Sequence, residues 1–254
     1  MADRTPLMAA NWKMHKTRAE ARSFVDSFRE LDAAASNVEV VICPPFTALE
    51  ATVAACEGSG IEVAAQNMHQ EESGAFTGEV SAAMLTDLGV QAVVLGHSER
   101  RALFGETDEM LAHKVPAALE AGLMPVLCVG ESEAEREAGQ TDEVLANQIR
   151  ADLANVSDAD LGRTVVAYEP IWAIGTGNTA TPDQAQEACG LIRALLAGRS
   201  DEGAASMRIL YGGSMKPDNA AEICRLEDVD GGLVGGASLD PADFAAIVDA
   251  ASST

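Results

Sequence analysis

Lysine is nearly missing from this chain of 254 residues, occurring at positions 13, 16, 114 and 216. Lys and Arg together number 17 against 40 Asp and Glu, which leaves a net charge of −23. A chain so short of positive charge repels nucleic acid and anionic membrane surfaces, and this argues against both as partners. It also poses a difficulty. An anionic substrate needs local positive potential inside a negative molecule. Screening over about 8 Å at physiological ionic strength makes such a patch feasible.

Long apolar runs are also missing. The longest fall well short of a membrane span, and Met1-Ala2-Asp3-Arg4 carries no signal-peptide profile, so a soluble, cytoplasmic protein is expected. The five cysteines, at 43, 56, 128, 189 and 224, are scattered. None forms Cys-x-x-Cys, no Cys/His cluster has zinc spacing, and no Asp/Glu/His set has metal-ligand spacing, so reduced thiols and no bound metal are expected. No Ser/Gly/Pro linker or low-complexity stretch interrupts the chain. With 47% apolar residues, 1–254 reads as one domain around a sizeable core.

What is present is an alternation. Short, β-branched apolar runs read as strands at Leu7–Ala10, Val38–Cys43, Ile61–Gln66, Ala92–Leu95, Met124–Val129, Thr164–Tyr168, Arg208–Tyr211 and Gly232–Val234. Longer helix-period segments lie between them, around Arg18–Ala33, Thr47–Cys56, Ser81–Leu88, Glu109–Glu120, Asp142–Leu153, Pro182–Leu196, Asn219–Cys224 and Pro241–Ala250. Thr181-Pro182 and Asp240-Pro241 pair a capping side chain with a proline at the first helical position. Gly89 and Gly122 stand where helices should stop. Eight strands alternating with eight helices predict an α/β fold of the (β/α)₈ barrel type, a TIM barrel. A doubly wound open sheet is the alternative. Its Gly-x-Gly-x-x-Gly fingerprint is missing after the first strand, where Asn11-Trp12-Lys13 stands instead.

In such a barrel, function gathers at the C-terminal ends of the strands. Those ends carry Asn11 and Lys13, Gln66 and Asn67, His97, Glu169, Gly212-Gly213-Ser214, and Gly235-Gly236. Glu169 closes an apolar strand and is followed at once by Pro170-Ile171-Trp172-Ala173-Ile174-Gly175-Thr176-Gly177, the build of a general base beside a hinged lid. His97 sits at a strand end and a helix start, where a neutral, hydrogen-bond-donating ring is favoured. His15, His69 and His113 are assigned no chemistry. Glycine turns after the last two strands suit a phosphate group, because backbone N–H groups can approach it closely. No second acid occupies an equivalent strand end, which disfavours a two-carboxylate glycosidase. One base, one neutral electrophile, one cation and a phosphate cradle suit proton abstraction beside a carbonyl on a small phosphorylated substrate.

These stretches resemble the triosephosphate isomerase family closely. The resemblance rests on Asn11-Trp12-Lys13, Gly74-Ala75-Phe76-Thr77-Gly78-Glu79, Gly96-His97-Ser98-Glu99-Arg100-Arg101 and Cys128-Val129-Gly130-Glu131. It continues through Tyr168–Gly177, Tyr211-Gly212-Gly213-Ser214 and Gly235-Gly236-Ala237-Ser238-Leu239, in family order. It implies interconversion of dihydroxyacetone phosphate and D-glyceraldehyde 3-phosphate without a cofactor. By the same resemblance, Glu169 would move the proton, His97 would polarise the carbonyl, and Lys13 and Asn11 would hold the substrate. Glu99 would support them. Gly175, Ser214, Gly235 and Gly236 would bind phosphate, Tyr211 and Ser214 would latch the closed lid, and Ile174 and Leu233 would clamp over Glu169. The segment Asn67–Gly78 would insert into a partner subunit through Phe76 and Thr77, giving a homodimer. Met215 and Met68-His69 depart from the family pattern. A lyase or synthase acting on a larger sugar phosphate, and a non-catalytic phosphometabolite binder, are the competing readings. The long lid disfavours the first and an intact base the second.

Overall fold

A computed structural model of the chain describes residues 4–31, 37–174 and 179–252. Eight strands, β1 (Leu7–Asn11), β2 (Glu39–Cys43), β3 (Glu62–Ala65), β4 (Ala92–Leu95), β5 (Met124–Val129), β6 (Val165–Tyr168), β7 (Arg208–Tyr211) and β8 (Gly231–Val234), close into a parallel barrel in sequence order. The seam is the β1–β8 pairing, with Leu7 opposite Gly231 and Ala10 opposite Val234. This is the expected (β/α)₈ barrel.

The strand period of two divides the apolar residues into two layers. One buried cluster takes Leu7, Ala9, Val41, Cys43, Ala64, Ala92, Val94, Val126, Cys128, Val165, Ala167, Leu210 and Leu233, and fills the barrel interior. The other takes the alternate strand residues, such as Met8, Ile42, Leu95, Leu127 and Val166, and packs them against the helices. Counting on by two from Ala9 and Ala167 turns Asn11 and Glu169 to the inner side at the barrel mouth.

Eleven α-helices lie among the described residues: α1 (Arg18–Glu30), α2 (Leu49–Cys56), α3 (Ala82–Asp87), α4 (Ser98–Phe104), α5 (Asp108–Glu120), α6 (Glu133–Glu137), α7 (Thr141–Asp152), α8 (Pro182–Ala197), α9 (Asp201–Ser206), α10 (Pro217–Cys224) and α11 (Pro241–Ser252). The predicted start signals act as read. Thr181 accepts from the N–H of Gln184, and Asp240 Oδ1 accepts from Ala242 and Asp243. Gly89 and Gly122 follow α3 and α5 with φ of 82° and 80°, conformations that favour glycine.

Three corrections concern helices. The segment expected as one helix from Thr47 begins as a 3₁₀ turn at Phe46–Ala48 and becomes α-helical at Leu49. The helix expected from Asn219 begins at Pro217, the first-turn proline. The helices α4, α6 and α9 had no predicted range, α4 being foreseen only as a helix start at His97. At five to seven residues they are too short to show a 3.6-residue period. Of the predicted helix at Arg18–Ala33, Asp32 and Ala33 lie outside the described residues. No helix among the described residues is long and apolar enough to cross a membrane.

Candidate active site

A cavity of about 760 Å³ opens at the C-terminal ends of the strands. Asn11, Lys13, His97, Glu169, Ile174, Ser214, Leu233, Gly235 and Gly236 all line it, although 225 positions separate the first from the last. Trp12, His15, Met215, Lys216, Asp218 and Asp243 complete much of the wall. Two of the chain's four lysines therefore line one cavity, beside the carboxylates of Glu169, Asp218 and Asp243.

Glu169 is 2% exposed, yet both its oxygens are engaged. Oε2 accepts the Ser98 N–H at 2.8 Å, and Oε1 accepts the Ser98 hydroxyl at 3.1 Å. His97 Nε2 stands 3.0 Å from the same Oε1. Glycines make room for the backbone and side chain of this residue. A Cβ at Gly130 would overlap the carbonyl oxygen of Glu169, and one at Gly212 would press on its Cγ at 3.0 Å.

His97 is the N-cap residue of α4, and it caps with its ring. Nδ1 accepts the N–H of Glu99 at 3.2 Å. A ring nitrogen that accepts is bare, so the imidazole proton sits on Nε2 and points into the site. The neutral donor expected from the helix start is thus built by one backbone hydrogen bond.

Lys13 extends its ammonium to Glu99 Oε1 at 2.6 Å. Its backbone is left-handed, with φ of 50°, an uncommon state for a residue with a side chain. Asn11 Oδ1 accepts the Lys13 N–H at 3.1 Å, and Gln66 donates to the Lys13 carbonyl at 2.9 Å. Neighbouring strand ends therefore hold the turn that carries the cation.

The start of the segment expected to act as a lid is held by neighbouring side chains. Pro170 leads into a 3₁₀ turn at Ile171–Ala173. The Trp172 indole donates to Glu131 Oε1 at 2.9 Å, while the Arg136 guanidinium lies 4.7 Å over its ring. Tyr168 and Arg136 donate to the same Oε1, at 3.0 and 2.9 Å. Burial and the charge of Glu131 push the Tyr168 phenol far above its ordinary range. Gly175, Thr176 and Gly177 lie outside the described residues.

Tyr211 is fully buried, and among the described residues its hydroxyl makes no well-formed hydrogen bond. Burial pushes its phenol up to about 12, opposed by the nearby Ala180 N–H. Glu99 lies outside the cavity wall and joins the site through Lys13. Phe76 and Thr77 are exposed on the loop after β3, where Phe76 packs on His69 with ring centroids 4.2 Å apart. They take no part in this chain's own cavity wall.

Several participants escaped the sequence reading. Ser98 holds the carboxylate through its N–H and hydroxyl, and serine is too common at helix starts to signal that. His15, assigned no chemistry, lines the cavity. Met215, a departure without meaning in the sequence, packs its sulfur over Gly232, where a Cβ would meet it at 2.7 Å.

The triosephosphate isomerase family profile matches residues 6–251. A triosephosphate isomerase of Symbiobacterium thermophilum is 53% identical over 249 residues, covering 98% of this chain and 97% of that protein. One from Rubrobacter xylanophilus is 54% identical over 252 residues, covering 98% of each. A third, from Clostridium novyi, is 54% identical over 247 residues, covering 97% and 98%.

Proposed function

The chain belongs to the triosephosphate isomerase family, and we infer that its Glu169, His97 and Lys13 carry the family's chemistry. The reaction interconverts dihydroxyacetone phosphate and D-glyceraldehyde 3-phosphate, an aldose–ketose isomerisation of glycolysis and gluconeogenesis.

The observation that carries the assignment of roles is the convergence of Glu169, His97 Nε2 and the Lys13 ammonium on one cavity beside Gly235-Gly236. In the forward step the Glu169 carboxylate takes a proton from the carbon beside the carbonyl. The C–H electron pair becomes the new carbon–carbon double bond, and the carbonyl π pair moves onto oxygen. His97 Nε2–H donates to that oxygen, and Lys13 lowers the energy of its charge. Glu169 then returns the proton to the neighbouring carbon. No redox or metal step is needed to balance this sequence. A positioned base contributes on the order of 10²–10⁴-fold.

The carboxylate is parked on Ser98 in this arrangement, so it must leave Ser98 to reach a substrate carbon. We assign that movement to closure of Pro170–Gly177, which carries Ile174 over the base opposite Leu233. Closure excludes water and suppresses elimination of phosphate from the enediolate. Tyr211 and Ser214 meet the closed lid, and the backbones of Gly175, Ser214, Gly235 and Gly236 hold the phosphate.

We also propose a homodimer. Met14, Phe46, Phe76, Leu103 and Phe104 are exposed apolar side chains, with Met14 at 93% and Leu103 at 73%. They follow β1, β2, β3 and β4, which are neighbours in the barrel, so they share one side of the mouth. A second copy covering that side would bring Thr77 to its partner's site. A cytoplasmic location accords with five unpaired thiols.

The Glu169→Gln variant tests these roles. Turnover should fall by on the order of 10³-fold or more while competitive inhibition by inorganic phosphate persists. Equal turnover in the two proteins would remove Glu169 from the reaction.

A further inference from the structure

The turn that carries Lys13 holds a second lysine that the reaction does not use. Lys16 has φ of 73°, so Lys13 and Lys16 are both left-handed, and they are the non-glycine residues with positive φ among the described residues. Such a conformation costs a residue with a Cβ and persists where its surroundings impose it. The side chain of Lys16 shows what imposes it. Its ammonium lies 4.8 Å from the Phe24 ring centroid and 5.2 Å from that of Trp12, and it donates to the Leu239 carbonyl at 2.8 Å. Trp12 itself donates its indole N–H to the Ser238 carbonyl at 3.1 Å.

Two consecutive carbonyls of the 3₁₀ turn Gly236–Leu239 are therefore gripped from the turn after β1. That 3₁₀ turn begins with the phosphate-binding glycines. The gap it spans is narrow, since a Cβ on Gly235 would stand 3.5 Å from Lys13 Cε. A shift of the turn after β1 relative to the turn after β8 would change the spacing between the Lys13 ammonium and the cradle. Both groups must meet the same small anion.

We propose that Lys16 is a positioning residue, a cationic strut that fixes the Lys13 turn against the Gly236–Leu239 turn and so sets the spacing between ammonium and phosphate cradle. The proposal rests on the reading of Lys13, Gly235 and Gly236 as substrate-binding groups. A lysine in place of glycine at this left-handed position is strained locally. The strain is offset by a cation placed against two touching rings and a carbonyl, an arrangement favoured where the ammonium is partly desolvated. Burial lowers the Lys16 pKa, against the raising effect of Glu20 and Asp240.

The test compares wild type with Lys16→Gly, Lys16→Arg and Lys13→Met, measuring kcat, KM, the inhibition constant of inorganic phosphate, and Tm. Glycine suits the left-handed backbone, so Lys16→Gly removes the strut without adding strain. It should raise KM and the phosphate inhibition constant together by about tenfold, with kcat changed by less than about threefold. Lys16→Arg, which keeps the cation and the donor, should recover most of that loss. Unchanged KM and phosphate inhibition in Lys16→Gly, whatever its Tm, would overturn the strut. Equal defects in Lys16→Gly and Lys16→Arg would also overturn it. Lys13→Met separates the two levels: if it keeps full kcat and KM, the underlying site assignment fails, and if it is crippled while Lys16→Gly is normal, only the strut fails.

Discussion

Glu169 reaches its place by the pleat. Val165 and Ala167 face the barrel interior, and the next inward position is the carboxylate. Its position was therefore legible once the strand was recognised, and the same holds for Asn11 after Leu7 and Ala9. Ser98 was not legible, because the half of its contribution that comes from the backbone has no sequence signature. Tyr211 shows a different kind of residue-scale information. Among the described residues its buried hydroxyl lacks a good partner, a state that costs stability and persists where another conformation uses the group. Tyr211→Phe should therefore leave Tm unchanged or slightly raised. It should also increase the fraction of turnovers that end in released inorganic phosphate, measured by a coupled phosphate assay. Unaltered phosphate release would show that the hydroxyl has no part in holding the lid shut.

At the level of elements, the sheet was easier to read than the helices. Buried strands announce themselves as unbroken apolar runs, and all eight had both ends placed where the structure has them or within one residue. Short helices carry no such pattern. One of them, α4, holds Arg101, which ties four elements together. Its guanidinium donates to the Gly96 carbonyl at 2.8 Å and the Cys128 carbonyl at 3.0 Å, just past β4 and within β5. It also pairs with Asp108 at the start of α5 and with Asp152 at the end of α7. Burial outweighs the guanidinium and pushes Asp152 from 3.8 up to about 7. Because the folded value is raised, Asp152 favours the fold most in acid, and that contribution fades as pH rises through about 7. The attraction of Arg101 counts where Asp152 is ionised. Arg101→Met should thus cost about 3–5 kcal/mol above neutral pH, where it strands a buried carboxylate, and less in mild acid. Denaturant titrations on both sides of neutrality check this. A stability gap independent of pH would mean that Asp152 does not titrate in that range.

The whole molecule combines a net charge of −23 with an apolar rim on one side of the barrel mouth. Charge alone says only that the surface is solvated. The apolar rim was partly foreseen, through Phe76 on its long loop. Met14, Leu103 and Phe104 became meaningful only when closure of the barrel set the loop after β1 beside helix α4, a relation no local stretch of sequence contains. Light scattering at micromolar concentration should give twice the chain mass of 26.4 kDa. Phe76→Glu should shift the species toward monomer, since a buried unpaired carboxylate opposes association. A fully active monomeric wild type would contradict the dimer.

The central claim is that one carboxylate moves one proton between adjacent carbons of a three-carbon phosphate. It is tested most directly by following isomerisation of D-glyceraldehyde 3-phosphate in D₂O by proton NMR, with wild type and Glu169→Gln side by side. Solvent deuterium should appear on the carbon that accepts the proton in the wild-type product, and the variant should be slower by on the order of 10³-fold or more. Undiminished conversion by Glu169→Gln, or wild-type product that never carries deuterium at that carbon, would contradict it.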